Sequence, residues 1–325
     1  MSRDFFHTGL QVGRNDIQDV IGSKGPGDHY YVDYRNGSDG NHRNDGKSWD
    51  KAFKTLSRAI DAVTSNNNDF IHIDGDSTVA ELSMITLSKN RVHIVGHNGP
   101  LGHFGHGAKV SLGVTTAATD LGVFKNTGVR NTITGVKFIS NNTKAESLYG
   151  VVEAGEYARY FNCEFYKSTD LDVTGAAEFV ANGDSTMVYN SMFGSLANII
   201  ADDKIRPNVL CTGGIVSGKK LRDNYFENCL FLSKAAGTEA VRVYGANATD
   251  VERMLMFNGC TFFNNPLSAA TPAHAVGFGA AQTQGAVFLK NCSSVDHTIM
   301  VEAAVGIYVD GAVPTFATSG VSVAS

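Results

Sequence analysis

A short motif recurs six times between residues 135 and 294. Each copy reads Asn or Gly, then a small residue, then a variable residue, and Phe closes every copy except the last. The closing positions lie 27 to 38 residues apart along the chain. A repeat of this length, with insertions, indicates stacked units that pack only on their neighbours. The six copies are Gly135–Phe138, Asn162–Phe165, Asn190–Phe193, Asn228–Phe231, Gly259–Phe262 and Asn291–Ser294.

The residue types of the motif predict a sharp corner followed by a strand. Asn and Gly tolerate a left-handed backbone, which suits a bend at the same place in every coil. Side chains alternate along the strand, so the small residue and the Phe point inward while the variable residue points outward. The outward column is expected at the surface and consists of Lys137, Glu164, Met192, Leu230 and Thr261. The predicted structural ladder consists of Asn162, Asn190, Asn228, Asn291, Phe138, Phe165, Phe193, Phe231, Phe262, Cys163, Cys229, Cys260 and Cys292.

These columns predict an all-β fold class, a single-stranded right-handed parallel β-helix (a solenoid) with an N-terminal capping helix. Apolar residues recur at three- and four-residue steps from Trp49 to Ser65, with Ser48 as N-cap, and predict that helix. A helix there would cover the open β edge of the first coil. The predicted organisation is an N-terminal arm or linker (1–28), an initial strand, loop and capping helix (29–68), the parallel β-helix (69–309) and a C-terminal tail (310–325).

The start of the chain resembles a known group. The segments Tyr31–Asp33, Gly37–Gly40, Asp45–Trp49 and Ala52–Leu56, followed by the Asn-Cys-x-Phe coils, are similar to pectin-lyase-like right-handed parallel β-helix proteins of phage virions, including tailspike and head decoration proteins. The resemblance spans roughly residues 30 to 300. It implies the fold and a homotrimer, and it says little about activity because one fold hosts many activities.

Composition narrows the classes of function. The formal net charge of −5 argues against binding nucleic acid, since no broad cationic field is available to neutralise phosphates. No apolar run is long enough to cross a membrane. The five cysteines are an odd number, and those of the inward column are expected to be reduced, buried and inert. We predict no cofactor.

Acidic residues are the weak candidates for catalysis. Glycan-cleaving enzymes of this fold need paired carboxylates or a calcium-assisted base. None of the acids sits in a distinctive motif, and the Trp-Ile-Asp-His and Arg-x-Pro-x-x-Arg signatures associated with pectate lyases are absent. We therefore expect a protein that is not an enzyme, and a polysaccharide hydrolase or lyase if it is one. The candidate acids are Glu153, Glu156, Asp170, Asp172, Glu178, Asp202 and Asp203.

A histidine-rich segment is the weak candidate for a metal site. His93, His97, His103 and His106 lie within fourteen residues, which is enough in principle to bind a transition metal. Their spacing matches no closed site, so a glycine-rich loop between coils with exposed or hydrogen-bonded imidazoles is the favoured interpretation. Imidazoles that titrate near neutrality could also tune an interface.

The favoured function is a non-enzymatic phage virion protein, a head decoration or cement protein that stabilises the capsid. Its expected partners are itself, as a homotrimer, and the major capsid protein or other virion proteins, and its location is the virion after synthesis in the host cytoplasm. The apolar side chains of the arm, Phe5, Phe6, Leu10 and Val12, would dock on the particle. The alternatives are a tailspike or depolymerase that binds or cleaves host surface polysaccharide, and a bacterial β-helix enzyme outside any virion.

Overall fold

The computed structural model of the 325-residue chain describes residues 11–12, 15–16, 27–40, 43–75, 80–97, 108–112, 122–140, 148–167, 175–194, 203–204, 206–213, 221–235, 242–265, 271–302 and 306–310. The predicted arm and tail therefore lie largely outside the described residues. Within the arm, two short strands pair antiparallel, β1 (Gln11–Val12) and β2 (Asn15–Asp16).

The body is a coil of strands that passes from one sheet to the next in a fixed order. Apart from the first strand of the body and one extra strand on sheet 2, successive strands belong in turn to sheet 1, sheet 2 and sheet 3, and neighbouring strands within each sheet are parallel. Sheet 1 contains β3 (His29–Val32), β4 (Asp69–Ile73), β7 (Val92–Gly96), β10 (Thr132–Thr134), β13 (Arg159–Phe161), β16 (Met187–Tyr189), β20 (Asn224–Glu227), β23 (Met254–Asn258), β26 (Ala286–Lys290) and β29 (Ile307–Val309).

Sheet 2 contains β5 (Ala80–Glu81), β8 (Ala108–Leu112), β11 (Val136–Ser140), β14 (Glu164–Lys167), β17 (Met192–Phe193), β21 (Leu230–Ala235), β24 (Thr261–Asn264) and β27 (Ser293–Val295), with β18 (Asp203–Lys204) paired to β21. Sheet 3 contains β6 (Ile85–Leu87), β9 (Phe124–Asn126), β12 (Tyr149–Glu153), β15 (Ala177–Ala181), β19 (Val209–Cys211), β22 (Val243–Gly245), β25 (His274–Phe278) and β28 (Ile299–Val301). The prediction of a right-handed parallel β-helix is confirmed.

The repeated Asn and Gly residues form the corner between sheet 1 and sheet 2. The backbone φ angles of Asn162, Asn190, Asn228 and Asn291 lie between 47° and 52°, and Gly259 has φ 64°. These angles fall in the left-handed region, which Asn and Gly enter at the least cost. The backbone N–H at each corner points along the stack: that of Asn162 donates to the Tyr189 carbonyl at 3.1 Å.

The interior is filled by a column of phenylalanine rings on sheet 2. Phe138, Phe165, Phe193, Phe231 and Phe262 are fully buried, and neighbouring ring centroids are 4.8 to 6.0 Å apart. These rings lie near-parallel because the in-register strands place equivalent side chains directly above one another. The column is one side of the main hydrophobic core, which runs the length of the stack.

Two residues of the outward column are not at the surface. Glu164 and Met192 are buried, so the expectation that this whole column is exposed is wrong for them. For Glu164 the reason is a partner in the neighbouring coil: Lys137 pairs with it in register, and the Lys137 ammonium nitrogen lies 2.5 Å from the Glu164 carboxylate. The attraction between the two opposite charges offsets the free-energy cost of removing the carboxylate from water. The structure gives no comparable reason for Met192.

The helix is shorter than the apolar pattern predicts. Residues Trp49–Lys51 form a 3-10 turn, and the helix α1 covers only Leu56–Ala62, with Thr55 rather than Ser48 as its side-chain N-cap. The segment between them is extended because Phe53 exchanges backbone hydrogen bonds with the strand β3 and the residue after it. The helix packs on β3, β4 and β6, and its role as a cap stays a prediction.

A buried carboxylate holds the start of this helix. Glu81 is 3% exposed, and one of its oxygens accepts hydrogen bonds from the Leu56 backbone N–H at 2.8 Å and from the Tyr34 hydroxyl at 3.0 Å. The other oxygen accepts from the Ser57 hydroxyl at 3.0 Å. Burial raises the pKa of Glu81. A carboxylate at this position stabilises the otherwise unpaired N–H groups of the helix start.

We predict that Glu81→Gln destabilises the protein by about 1 to 3 kcal/mol. Both carboxylate oxygens accept hydrogen bonds, so the NH₂ group of glutamine would place a donor against one of the present donors. The matched control is Asp61→Asn on the exposed side of the same helix, which should change the free energy of unfolding by less than about 0.5 kcal/mol. Urea unfolding measures both. Equal effects of the two changes would contradict the role given to Glu81.

Candidate functional site

The acids proposed from sequence as weak catalytic candidates do not form a site in the described structure. Glu153 is fully buried, and its carboxylate accepts hydrogen bonds from the Gly155 backbone N–H at 2.6 Å, the Tyr160 hydroxyl at 2.5 Å and the Asn126 side chain at 2.9 Å. It therefore ties successive coils together inside the stack. Glu156 lies at a turn between strands, where its backbone forms an isolated parallel bridge with Asp184 of the next coil.

Glu178 is engaged in a buried ion pair. Its carboxylate lies 3.1 Å from the Arg206 guanidinium, and both side chains are at most 3% exposed. Burial raises the pKa of Glu178, and the charge of Arg206 opposes that rise. Asp170, Asp172 and Asp202 lie outside the described residues. Asp203 lies in β18, with its side chain outside the described part of the structure.

The two described histidines of the histidine-rich segment, His93 and His97, contact different residues. His93 is buried, and its ring packs against Phe70 with centroids 5.0 Å apart; burial lowers its pKa to about 4. His97 lies just after β7 and is hydrogen-bonded to His72, one coil earlier. His103 and His106 lie outside the described residues. No group of three or more metal-binding side chains is found among the residues that the structure describes.

Sequence analysis missed a chain of three hydrogen-bonded imidazoles, which we call the histidine chain: His29, His72 and His97. His29 Nδ1 lies 2.8 Å from His72 Nε2, and His72 Nδ1 lies 2.9 Å from His97 Nε2. Burial, together with the two neighbouring imidazoles, lowers the pKa of His72 to about 3. The sequence reveals this histidine chain only when the first strands are aligned with one another, because the register that pairs Tyr31 with His72 brings the imidazoles together.

The cysteines are buried thiols. Cys163, Cys211, Cys229 and Cys260 are at most 3% exposed, Cys292 is half-buried, and all five are free. Burial raises the pKa of Cys163 to about 12, which keeps it protonated at neutral pH. Its thiol points at the carbonyl oxygen of Ile133, 3.6 Å away. A protonated, enclosed thiol is a poor nucleophile, so these groups act in packing.

The outer face of sheet 1 carries a group of partly exposed apolar side chains aligned in register. From β13 to β29 many of the described outward positions are occupied by aromatic rings and thioethers, which we call the aromatic face. All are half-buried except Tyr308, which is 56% exposed. Ten stacked strands at about 4.8 Å spacing make sheet 1 about 43 Å long. The aromatic face consists of Phe161, Met187, Tyr189, Tyr225, Met256, Phe288 and Tyr308.

The side chains of the aromatic face are packed against one another. The rings of Phe161 and Tyr189 are stacked with centroids 5.0 Å apart, and those of Phe288 and Tyr308 are 5.2 Å apart. The Tyr189 hydroxyl donates to the Met187 sulfur at 3.3 Å. These contacts restrict the side-chain rotamers of the aromatic face in the unbound protein. The face is therefore a preorganised apolar surface, which lowers the entropy cost of binding.

Charged groups lie beside and within this face. Arg159 and Glu227 occupy outward positions in β13 and β20, with Glu227 in register with Tyr189, and Lys290 is exposed at the end of β26. Protein interfaces combine apolar and charged side chains in this way. Among the described helices, none is long and apolar enough to cross a membrane.

Solved structures share this architecture. The chain is similar to the deglycosylated pectin methylesterase from Aspergillus niger, at 10% identity and a TM-score of 0.58, over 88% of this chain and 85% of that one. It is similar to a rhamnogalacturonan lyase at 14% identity and a TM-score of 0.56, over 85% of this chain and 70% of that one. It is also similar to ORF18 of Geobacillus virus E2, at 16% identity and a TM-score of 0.52, over 78% of this chain and 46% of that one.

These likenesses establish the fold. The chain has the pectin-lyase-like right-handed parallel β-helix fold. At 10 to 16% identity the comparison carries no activity across, because unrelated functions share this fold. No protein-family model matches the sequence, and no curated protein matches it at a significant level.

Proposed function

We propose that this chain is a structural protein of a bacteriophage virion, a head decoration or cement protein that is homotrimeric and binds the major capsid protein or another virion protein. The aromatic face is the observation that carries the proposal. A surface of stacked rings and thioethers on a rigid sheet is suited to being covered by another protein.

The composition of the face favours a protein partner. Met187 and Met256 contribute flexible, polarisable thioethers, which adapt to an irregular protein surface. Tyr225 adds a ring with a hydroxyl that already accepts a hydrogen bond from Asn258 at 2.9 Å. Tyrosine, methionine and phenylalanine are enriched where protein surfaces meet.

The remainder of the molecule supports a structural role. The described acids that could have served catalysis are committed to other contacts: Glu153 ties coils together inside the stack, and Glu178 is paired with Arg206. A stack of in-register coils with a continuous core is a stiff body, which suits a part that must transmit load across a shell. ORF18 of Geobacillus virus E2 shares the fold, and this likeness supports a viral protein. The docking arm (Phe5, Phe6, Leu10 and Val12) belongs to this proposal as a second contact, and its side chains lie outside the described residues.

Binding of host surface polysaccharide is the second candidate function. The stacked pair Phe161 and Tyr189 favours it, because aromatic rings aligned along an open face also pack against the apolar faces of sugar rings. On this account the protein would be a tailspike or depolymerase that binds or cleaves glycan.

We expect Met256→Glu to reduce incorporation into particles by about tenfold or more, because the partner would bury an unpaired carboxylate. The matched control is Thr86→Glu, an exposed outward position on sheet 3 that should leave incorporation unchanged. Quantitative mass spectrometry of particles assembled with each variant, in the virus that encodes the protein, gives the copy number.

The same measurement separates the two candidates. A decoration protein is present in hundreds of copies per particle and a tailspike in a handful. A low copy number, together with new reducing ends or unsaturated products when the purified protein is incubated with host polysaccharide, would contradict the structural proposal and support the second candidate. Unchanged incorporation of Met256→Glu would show that the aromatic face is not the docking surface.

A further inference from the structure

The histidine chain connects three successive coils at the N-terminal end of the stack. His29 lies in β3, His72 lies one coil further in β4, and His97 follows β7 in the third coil. Between β3 and β4 the chain makes the loop and helix that run from residue 33 to residue 68. The two imidazole contacts therefore join the first coil to the two that follow it.

The chemistry of the chain limits how many protons it can hold. A neutral imidazole has one donor and one acceptor nitrogen, and His72 uses both of its nitrogens, one toward His29 and one toward His97. A single added proton can still be arranged with donors facing acceptors. A second added proton turns one of the two nitrogen contacts into a donor facing a donor, with the two nitrogens less than 3 Å apart.

Aromatic rings enclose these imidazoles. The His72 ring stacks on Tyr31 at 5.0 Å and on His29 at 5.1 Å. Trp49, from the 3-10 turn, packs its edge against His97 at 5.6 Å and against Tyr31 at 4.8 Å. The enclosure limits the access of water that would stabilise a charged imidazole.

Among the described residues, the charges that act on the histidine chain lie at its two ends. Asp28, Asp69 and Lys47 act on His29, and Asp74 acts on His97. For His72, the groups that act on it are the two other imidazoles. The carboxylates can therefore compensate a proton on an end ring, whereas the middle ring has only its imidazole neighbours.

We propose that the histidine chain is an acid-sensitive clasp that holds the first coil and the Trp49 turn onto the β-helix and opens in mild acid. This inference does not depend on the proposed virion role. Opening exposes the imidazoles to water, where each takes a proton at its ordinary pKa.

The direction of the effect follows from the protons bound in each state. Burial lowers the pKa of all three histidines in the closed chain, that of His72 to about 3, whereas an opened histidine titrates near 6.5. The open form thus binds more protons below pH 6.5, so closure is fully stable above that pH. Its stability is lost progressively as the pH falls from 6.5 toward 3.

Trp49 is the single tryptophan of the chain, and it reports opening directly. We expect acrylamide quenching of its fluorescence to rise roughly twofold between about pH 6.5 and 4, because the side chain is 42% exposed while the clasp is closed. Far-UV circular dichroism of the same samples should stay constant over that range, since the remaining coils keep their strands.

Two variants test the assignment. His72→Gln removes the titrating middle ring, so the rise in quenching between pH 6.5 and 4 should be much smaller than in the wild-type protein, whereas His274→Gln, a control in sheet 3, should keep the wild-type transition. If circular dichroism shows that His72→Gln does not fold, His97→Gln takes its place. Constant quenching in the wild-type protein, an unaltered transition in both clasp variants, or a transition that coincides with loss of circular dichroism would overturn the proposal.

Discussion

The left-handed corner between sheet 1 and sheet 2 is the constraint on which the rest of this structure depends. At that corner the chain turns sharply enough to begin a new strand directly above its equivalent in the previous coil. The Asn and Gly residues that occupy it have φ angles of 47° to 68°. Because the six coils that carry the motif turn at the same place, their strands pair in register in all three sheets. The phenylalanine column and the outer aromatic face are two consequences of that one register.

The same register decides which side chains can act together. In a solenoid, the neighbours of a residue lie one coil away, about 25 to 40 positions along the sequence, as His72 and His97 show. Inside, this brings rings and thiols into columns that exclude water. Outside, it aligns Tyr225, Met256 and Phe288 on one surface although none of them is close to another in sequence. Both the proposed docking surface and the acid-sensitive clasp arise from this alignment.

The corner and the phenylalanine column could be predicted because both follow from short, local rules. Asn and Gly enter the left-handed region at the least cost and side chains alternate beyond the corner, so four residues suffice to recognise a coil. The helix was overestimated because its apolar spacing cannot show that Phe53 is hydrogen-bonded to the first strand. The histidine chain could not be recognised without the register of the first three coils, which lack the motif. Glu81 could not be assigned to the helix start for the same reason, since 25 residues separate it from Leu56.

Urea unfolding of Asn190→Gly and Asn190→Ala tests the corner most directly. Asn190 is exposed and has φ 47°, so the two variants differ mainly in the cost of the left-handed backbone. The account predicts that Asn190→Gly is more stable than Asn190→Ala by about 1 kcal/mol. At a position with ordinary backbone angles the order is reversed, because alanine restricts the unfolded chain more than glycine does. An alanine variant as stable as the glycine variant, or more stable, would contradict the corner and with it the register of the whole stack.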